Sequence, residues 1–125
     1  MEEVNFSDFK KIDIRIGTIV LAEVPEWSHW VMRLTVDFGE EVGKRTIFAG
    51  IMKFFEPKDL IGTKRPFVVN IMPKRIGPAN EEGKYEYSQG MMLAAVVPSN
   101  DGSEENDKPV LLSLEGDVPN GTRLM

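Results

Sequence analysis

Pro66-Phe67-Val68-Val69-Asn70-Ile71-Met72, Pro73-Lys74-Arg75-Ile76-Gly77-Pro78 and Ser88-Gln89-Gly90-Met91-Met92-Leu93-Ala94-Ala95-Val96-Val97 decide the fold of this 125-residue chain. Two apolar runs of strand length flank a basic loop punctuated by Gly and Pro, which reads as two buried strands joined across a polar mouth. Lys74 and Arg75 fall in the loop, and Ser88, Gln89 and Met91 fall where the second run begins. Function is expected at that mouth.

Working outward, Ile12, Ile14, Ile16, Thr18, Val20, Ala22 and Val24 alternate with Asp13, Arg15 and Gly17. This period of two predicts a long first strand, with Gly17 marking a bend or bulge. Trp30, Met32, Leu34, Val36 and Phe38 form one face of a second strand, opposite Val31, Arg33, Thr35 and Asp37. Gly39 to Gly43 reads as a hairpin loop returning into a third strand, Arg45 to Gly50. Ile51 to Leu60 suits one or two helical turns started by Pro57. At the N-terminus, Ser7 to Lys11 predicts a helical turn capped by Ser7, with Phe9 packing inward. Residues 98–109 read as a solvated loop, Val110 to Leu114 as a last short strand, and Pro119-Asn120-Gly121 as a turn.

The pattern predicts an all-β fold, a five-stranded Greek-key barrel of the OB type, with a short helix between strands three and four and small N- and C-terminal additions. At this length a single domain buries about two-thirds of its unfolded surface. The expected division is a helical turn at 1–11, the barrel at 12–97 and a C-terminal extension at 98–125.

Composition narrows the function. No cysteine is present, which removes disulfides, thiolate nucleophiles and Cys-ligated metals and fits a reducing compartment. The acidic N-terminus is unlike a signal peptide, and no apolar run approaches the ~20 residues of a membrane span, so a cytoplasmic protein with no membrane contact is expected. The net charge of −5 is unevenly spread: residues 1–78 carry 12 Lys and Arg against 11 Asp and Glu, and residues 79–125 carry 3 against 9. The acid gathers in Asn80–Glu86 and Asp101–Asp107, leaving room for a local basic patch.

Catalysis has little support. His29 is the one histidine, and Ser28 beside it on an extended segment would point to the opposite face. Glu81-Glu82 and Glu104-Glu105 lack the spacing of a calcium loop. No catalytic residue, metal or cofactor is therefore expected. Recognition is better supplied. Lys53, Lys74 and Arg75 flank the central strand pair and can neutralise phosphates or act as ordinary surface charges. Asn70 either satisfies a neighbouring backbone or faces a ligand. Ser88, Gln89 and Met91 offer hydroxyl, amide and thioether to an unstacked base, or else form a turn with Met91 in the core. Phe54, Phe55, Tyr85 and Tyr87 are candidate stacking platforms.

Several segments together resemble the tRNA-binding OB-domain family, across residues 6–122. They are Phe9-Lys10-Lys11-Ile12-Asp13-Ile14-Arg15-Ile16-Gly17, Ala49-Gly50-Ile51-Met52-Lys53-Phe54-Phe55-Glu56-Pro57, Leu60-Ile61-Gly62-Thr63-Lys64, Val69-Asn70, Ser88 to Ala95, and Val118-Pro119-Asn120-Gly121-Thr122. That family includes the C-terminal domain or beta subunit of methionyl-tRNA synthetases, stand-alone tRNA-binding proteins and CsaA-type secretion chaperones. The resemblance implies a homodimer that binds tRNA by shape without catalysis, through Lys53, Asn70, Lys74, Ser88 and Met91. Arg75 and Gln89 join them on chemistry and position. It also implies a dimer interface through Phe6, Phe9, Val110 and Leu112, with an aminoacyl-tRNA synthetase as a further partner. Two segments depart from the family. Pro25-Glu26-Trp27-Ser28-His29-Trp30 replaces a cationic loop with two large aromatics, and the loop before Ser88 is longer and more acidic. Exposed Trp27 and Trp30, the Met-rich segments and the acidic second half motivate a rival, a chaperone for unfolded or export-bound polypeptide.

Overall fold

The first strand is shared by both halves of the barrel. In the computed structural model, which describes residues 1–125, β1 (Ile14–Glu23) pairs through its second half with β2 (Met32–Asp37) and through its first half with β4 (Lys64–Val68). β3 (Lys44–Ala49) continues from β2, and β7 (Met91–Met92) lies beyond β4, so the antiparallel order is β3-β2-β1-β4-β7. This is the expected nearly closed five-stranded barrel. A short helix, α2 (Pro57–Leu60), sits between β3 and β4, with Pro57 in its first turn and Glu56 and Asp59 forming a reciprocal capping box.

Burial follows the alternation in β2, where Met32, Leu34 and Val36 are inside and Arg33, Thr35 and Asp37 only partly covered. In β1 the alternation breaks. Register runs from Ile19 opposite Val36 to Leu21 opposite Thr35, which leaves Val20 as an extra, exposed residue. The bend is thus at Val20 rather than Gly17. Gly17 serves a different need: a Cβ there would lie 2.5 Å from Val36 Cγ1 and 2.7 Å from Phe38 Cδ1. Its hydrogen is the space into which these side chains pack. Phe38 in turn meets Phe67 edge-on, with centroids 5.4 Å apart, and Leu60 of α2 is fully buried in the same cluster. That geometry suits the quadrupoles of the two rings.

The C-terminal turn read from Pro119-Asn120-Gly121 returns the chain to the free edge of the first half of β1. Ile16 N–H donates to Thr122 C=O at 2.9 Å, Gly121 N–H to Ile16 C=O at 2.7 Å, and Leu124 N–H to Ile14 C=O at 2.8 Å. Thr18 Oγ1 and Asn120 Oδ1 lie 2.7 Å apart across the same junction. Arg15 bonds Asp13 (Nε to Oδ1, 2.7 Å), Glu41 and the Gly121 carbonyl. The Arg15 bond holds the Asp13 carboxyl below its usual range.

Three further expectations are corrected. Residues 73–78 are not a plain loop: β5 (Lys74–Ile76) pairs with β6 (Glu86–Ser88) as a separate hairpin. The apolar run Met91 to Val97 is not one strand. The pairing of β7 with β4 ends with Leu93 N–H donating to Pro66 C=O, and β8 (Ala94–Val97) pairs instead with β9 (Lys108–Leu111). Finally, α1 (Phe6–Phe9) starts at Asn5 without a side-chain cap, Ser7 lies inside it, and Phe9 is 44% exposed rather than packed inward. No residue of this four-residue helix is buried.

Gly17→Ala is expected to overpack the barrel and cost about 1–3 kcal/mol. The check is urea unfolding, with a lower midpoint at unchanged slope.

Candidate nucleic-acid interface

Barrel closure places the candidate site. The edge of β3 faces the segment joining β6 to β7, and side chains complete the ladder. Phe48 N–H donates to Ser88 Oγ at 3.0 Å, and the Ser88 hydroxyl donates to Gly90 C=O at 3.1 Å. Thr46 N–H donates to Gln89 Oε1 at 2.9 Å, and Gln89 N–H returns to Thr46 C=O at 2.8 Å. Arg45 donates to the carbonyls of Val69 and Gln89. Gly90 crosses so close to the wall that a Cβ would lie 2.8 Å from Val68 C=O. Its close approach is to the barrel itself.

Over this seam lies a groove of about 410 Å³, at the scale of a small-ligand cleft. Lys74 and Arg75 supply its charge, and Trp30, Ile71, Met72 and Met91 are exposed apolar residues of its lining. Lys74 and Arg75 take part in none of the nine ion pairs of the chain. The Arg75 guanidinium lies 4.2 Å from the centroid of Tyr85, a cation–π contact across the β5–β6 hairpin. Trp27, half-buried, packs against Gly77 and against Phe48 with centroids 6.1 Å apart, bracing the hairpin from behind.

The seven residues expected in one site therefore separate into groups. Lys74, Arg75, Ser88 and Met91 line the groove, but Ser88 is only 7% exposed and its hydroxyl is committed to closure. Gln89 is likewise occupied by Thr46. Asn70 does not line the groove: its Oδ1 accepts Asp13 N–H at 2.8 Å and its Nδ2 donates to Lys11 C=O, tying the N-terminal turn to the end of β4.

Lys53 lies in a neighbouring depression with His29, Trp30, Phe54, Glu104, Glu105 and Asp107, its Nζ 3.4 Å from Asn106 Oδ1. The acidic loop that supplies these groups is ordered from within, with Asp101 accepting bonds from Ser99 Oγ, Ser103 N–H and Asn106 Nδ2. Those bonds bring the Asp101 carboxyl down to about 2. In the other acidic stretch, Asn80–Glu86, Glu86 pairs with Arg33, and no carboxylate lines the groove. No group of three His, Cys, Asp or Glu side chains is placed to hold a metal ion.

One contributor, Arg45, gives no signal in the sequence. Trp30 is 56% exposed, as expected of it, although alternation groups it with buried Met32, and Val31 is buried as well. Ser28, three residues before Val31, was the available hint, since its hydroxyl caps a turn there at 2.9 Å.

Residues 14–123 match the tRNA binding domain family. The chain belongs to that family. Among curated relatives, methionine–tRNA ligase 1 of Bacillus anthracis is 33% identical over 98% of this chain, and methionine–tRNA ligase of Thiobacillus denitrificans 37% over 93%. The chain spans only 16% and 15% of those enzymes' lengths. Among solved structures, a MetRS-related protein from Pyrococcus horikoshii superposes with a TM-score of 0.77 at 33% identity over the whole of both chains. Chaperone CsaA from Bacillus anthracis superposes with 0.76 at 35% identity, over 99% of this chain and 100% of that one. The tRNA-binding domain of this chain thus lies between a synthetase-related and a chaperone relative.

Ser88→Ala is expected to leave the buried Phe48 N–H unpaired and cost about 1–3 kcal/mol, whereas Met91→Ala, at an exposed position, leaves the melting temperature nearly unchanged. Parallel thermal melts check both. Because the folded Asp101 carboxyl is depressed, its contribution is full above its ordinary value of 3.8 and is lost as pH falls toward about 2. Asp101→Asn should flatten that part of the acid limb in a plot of melting temperature against pH.

Proposed function

We propose that this chain binds tRNA by shape, without catalysis, at the groove over the closure seam. The observation that carries the reading is the pairing of Lys74 and Arg75, two cations with no carboxylate partner, with an exposed indole and two methionines in a domain of the tRNA-binding family. Cations hold phosphates and give register, while apolar and aromatic surface meets bases or sugar faces. Elsewhere, Lys64 is bonded to Asp117 and Arg65 to the Leu112 carbonyl, so those cations are engaged within the chain. The cysteine-free composition fits a cytoplasmic setting.

The acting unit in this proposal is a homodimer. Phe6, Phe9 and Ile12 lie with Leu124 and Met125 around one apolar depression, Val96 and Val110 are exposed on the β8–β9 hairpin, and Leu112 is exposed just after it. A second copy is the occupant that would cover them and bring two grooves to one RNA, adding avidity without new contacts. Because the ligases carry a like segment as part of a longer chain, a synthetase bound in trans is included as a partner.

A second reading, binding of unfolded polypeptide, is favoured by the likeness to chaperone CsaA and by the exposed Trp30 and Met72. Fluorescence anisotropy with total tRNA at several salt concentrations separates them. Log affinity should fall linearly with log salt, and Lys74→Ala and Arg75→Ala should each weaken binding and lower the slope by about 1. Absence of binding at low salt, with aggregation of a denatured client suppressed, would establish the polypeptide reading instead. Light scattering should give twice the chain mass, reduced to the single-chain mass by Val110→Asp with Leu112→Asp.

A further inference from the structure

Trp30 is the place where the pattern that builds the barrel is broken on purpose. Strict alternation would turn it inward with Met32, but Val31 and Met32 are both buried in succession and the indole faces out. Buried hydrogen bonds impose that reversal. Ser28 Oγ accepts the N–H of Trp30 at 3.3 Å and of Val31 at 2.9 Å, and donates to Val31 C=O at 2.7 Å. On the other side, Trp30 C=O accepts Met52 N–H at 3.2 Å. The backbone that carries the ring is thus fixed from both directions. A large apolar side chain held outward by a buried framework forms a preorganised surface, with little ordering left to do on contact.

The charges on its two flanks differ. Trp30 lines both depressions: one side carries Lys74 and Arg75, the other Lys53 among Glu104, Glu105 and Asp107. A phosphate is welcome on the first side and repelled on the second. We infer that Trp30 stacks an unpaired nucleobase of the bound RNA, with the adjoining phosphate on Lys74 and Arg75 and the strand path running away from Lys53. This rests on the tRNA-binding reading and adds a contact to a base that shape recognition alone does not require. Stacking on an aromatic face tolerates any base, so the contact selects for an unpaired nucleotide and not for its identity. An anionic strand fits Lys74 and Arg75 better than a polypeptide does.

The test uses the full chain with total tRNA and, as control, a blunt RNA duplex in which every base is paired. Trp30→Ala should weaken tRNA binding about tenfold, Trp30→Phe by no more than about threefold, and neither should change duplex binding. Adding tRNA should quench tryptophan emission in the wild type, and Trp30→Phe, which retains Trp27, should lose that quenching. Glu104→Gln with Glu105→Gln should strengthen tRNA binding about twofold or more by making the Lys53 flank less repulsive. Wild-type tRNA binding with no quenching and an unchanged Trp30→Ala affinity overturns the inference while leaving tRNA binding intact. Equal losses on tRNA and duplex for Trp30→Ala, or emission that responds to an unfolded polypeptide and not to tRNA, overturn it as well. Failure of the wild type to bind any tRNA would instead remove the reading beneath it.

Discussion

The edge of β3 must be closed for the barrel to exist, and it is closed largely by two side chains. Ser88 and Gln89 each take a backbone N–H of β3, from Phe48 and Thr46. Each bond of a β-ladder joins a backbone N–H to a backbone C=O and leaves side chains free. Here side chains take β3 N–H groups in place of the ladder, beside one backbone bond from Gln89 N–H to Thr46 C=O. Gly90 permits the close approach by its missing Cβ, against Val68 and Ile47. An unpaired N–H in this seam would cost about 1–3 kcal/mol, a large share of a small domain's net stability. The seam also sets the position of everything above it: the β5–β6 hairpin, Lys74, Arg75 and Met91 are all carried by the segments it fixes.

Charge is distributed to match. An acidic chain presents a basic groove because most of its cations are engaged elsewhere. Arg15, Arg33, Lys64 and Arg123 pair with carboxylates in the body, whereas Lys74 and Arg75 do not. No carboxylate of the two acidic stretches lines the groove. Glu86 pairs with Arg33, and Asp101–Asp107 folds on its own hydrogen bonds beside Lys53. Net charge therefore says little about this surface, and local pairing says a great deal.

Much of the architecture was legible in the sequence because barrel strands must alternate. The first three strands, the helix at Pro57 and the hairpin at Gly39–Gly43 all follow from period and turn chemistry. The run from Met91 to Val97 was misread because a continuous apolar stretch does not say which partner each residue takes, and its partner changes at Leu93. The same limit applies to Trp30 and Val20, where a hydroxyl bond and a one-residue bulge shift the phase without altering composition. In the site, Lys74, Arg75 and Met91 were found by chemistry and do share a groove. Ser88, Gln89 and Asn70 carry groups equally suited to a ligand and to a backbone, and only three-dimensional contact reveals that the backbone takes them.

The central claim is that RNA lies across this seam and not elsewhere on the barrel. Photo-crosslinking of bound tRNA, followed by mass spectrometry of the attached peptides, tests it most directly. The account predicts crosslinks at Trp30, in Lys74–Arg75 and at Met91. Crosslinks confined to the Lys64–Arg65 and Leu114–Asp117 surface, with none at Trp30 or on the hairpin, would contradict it.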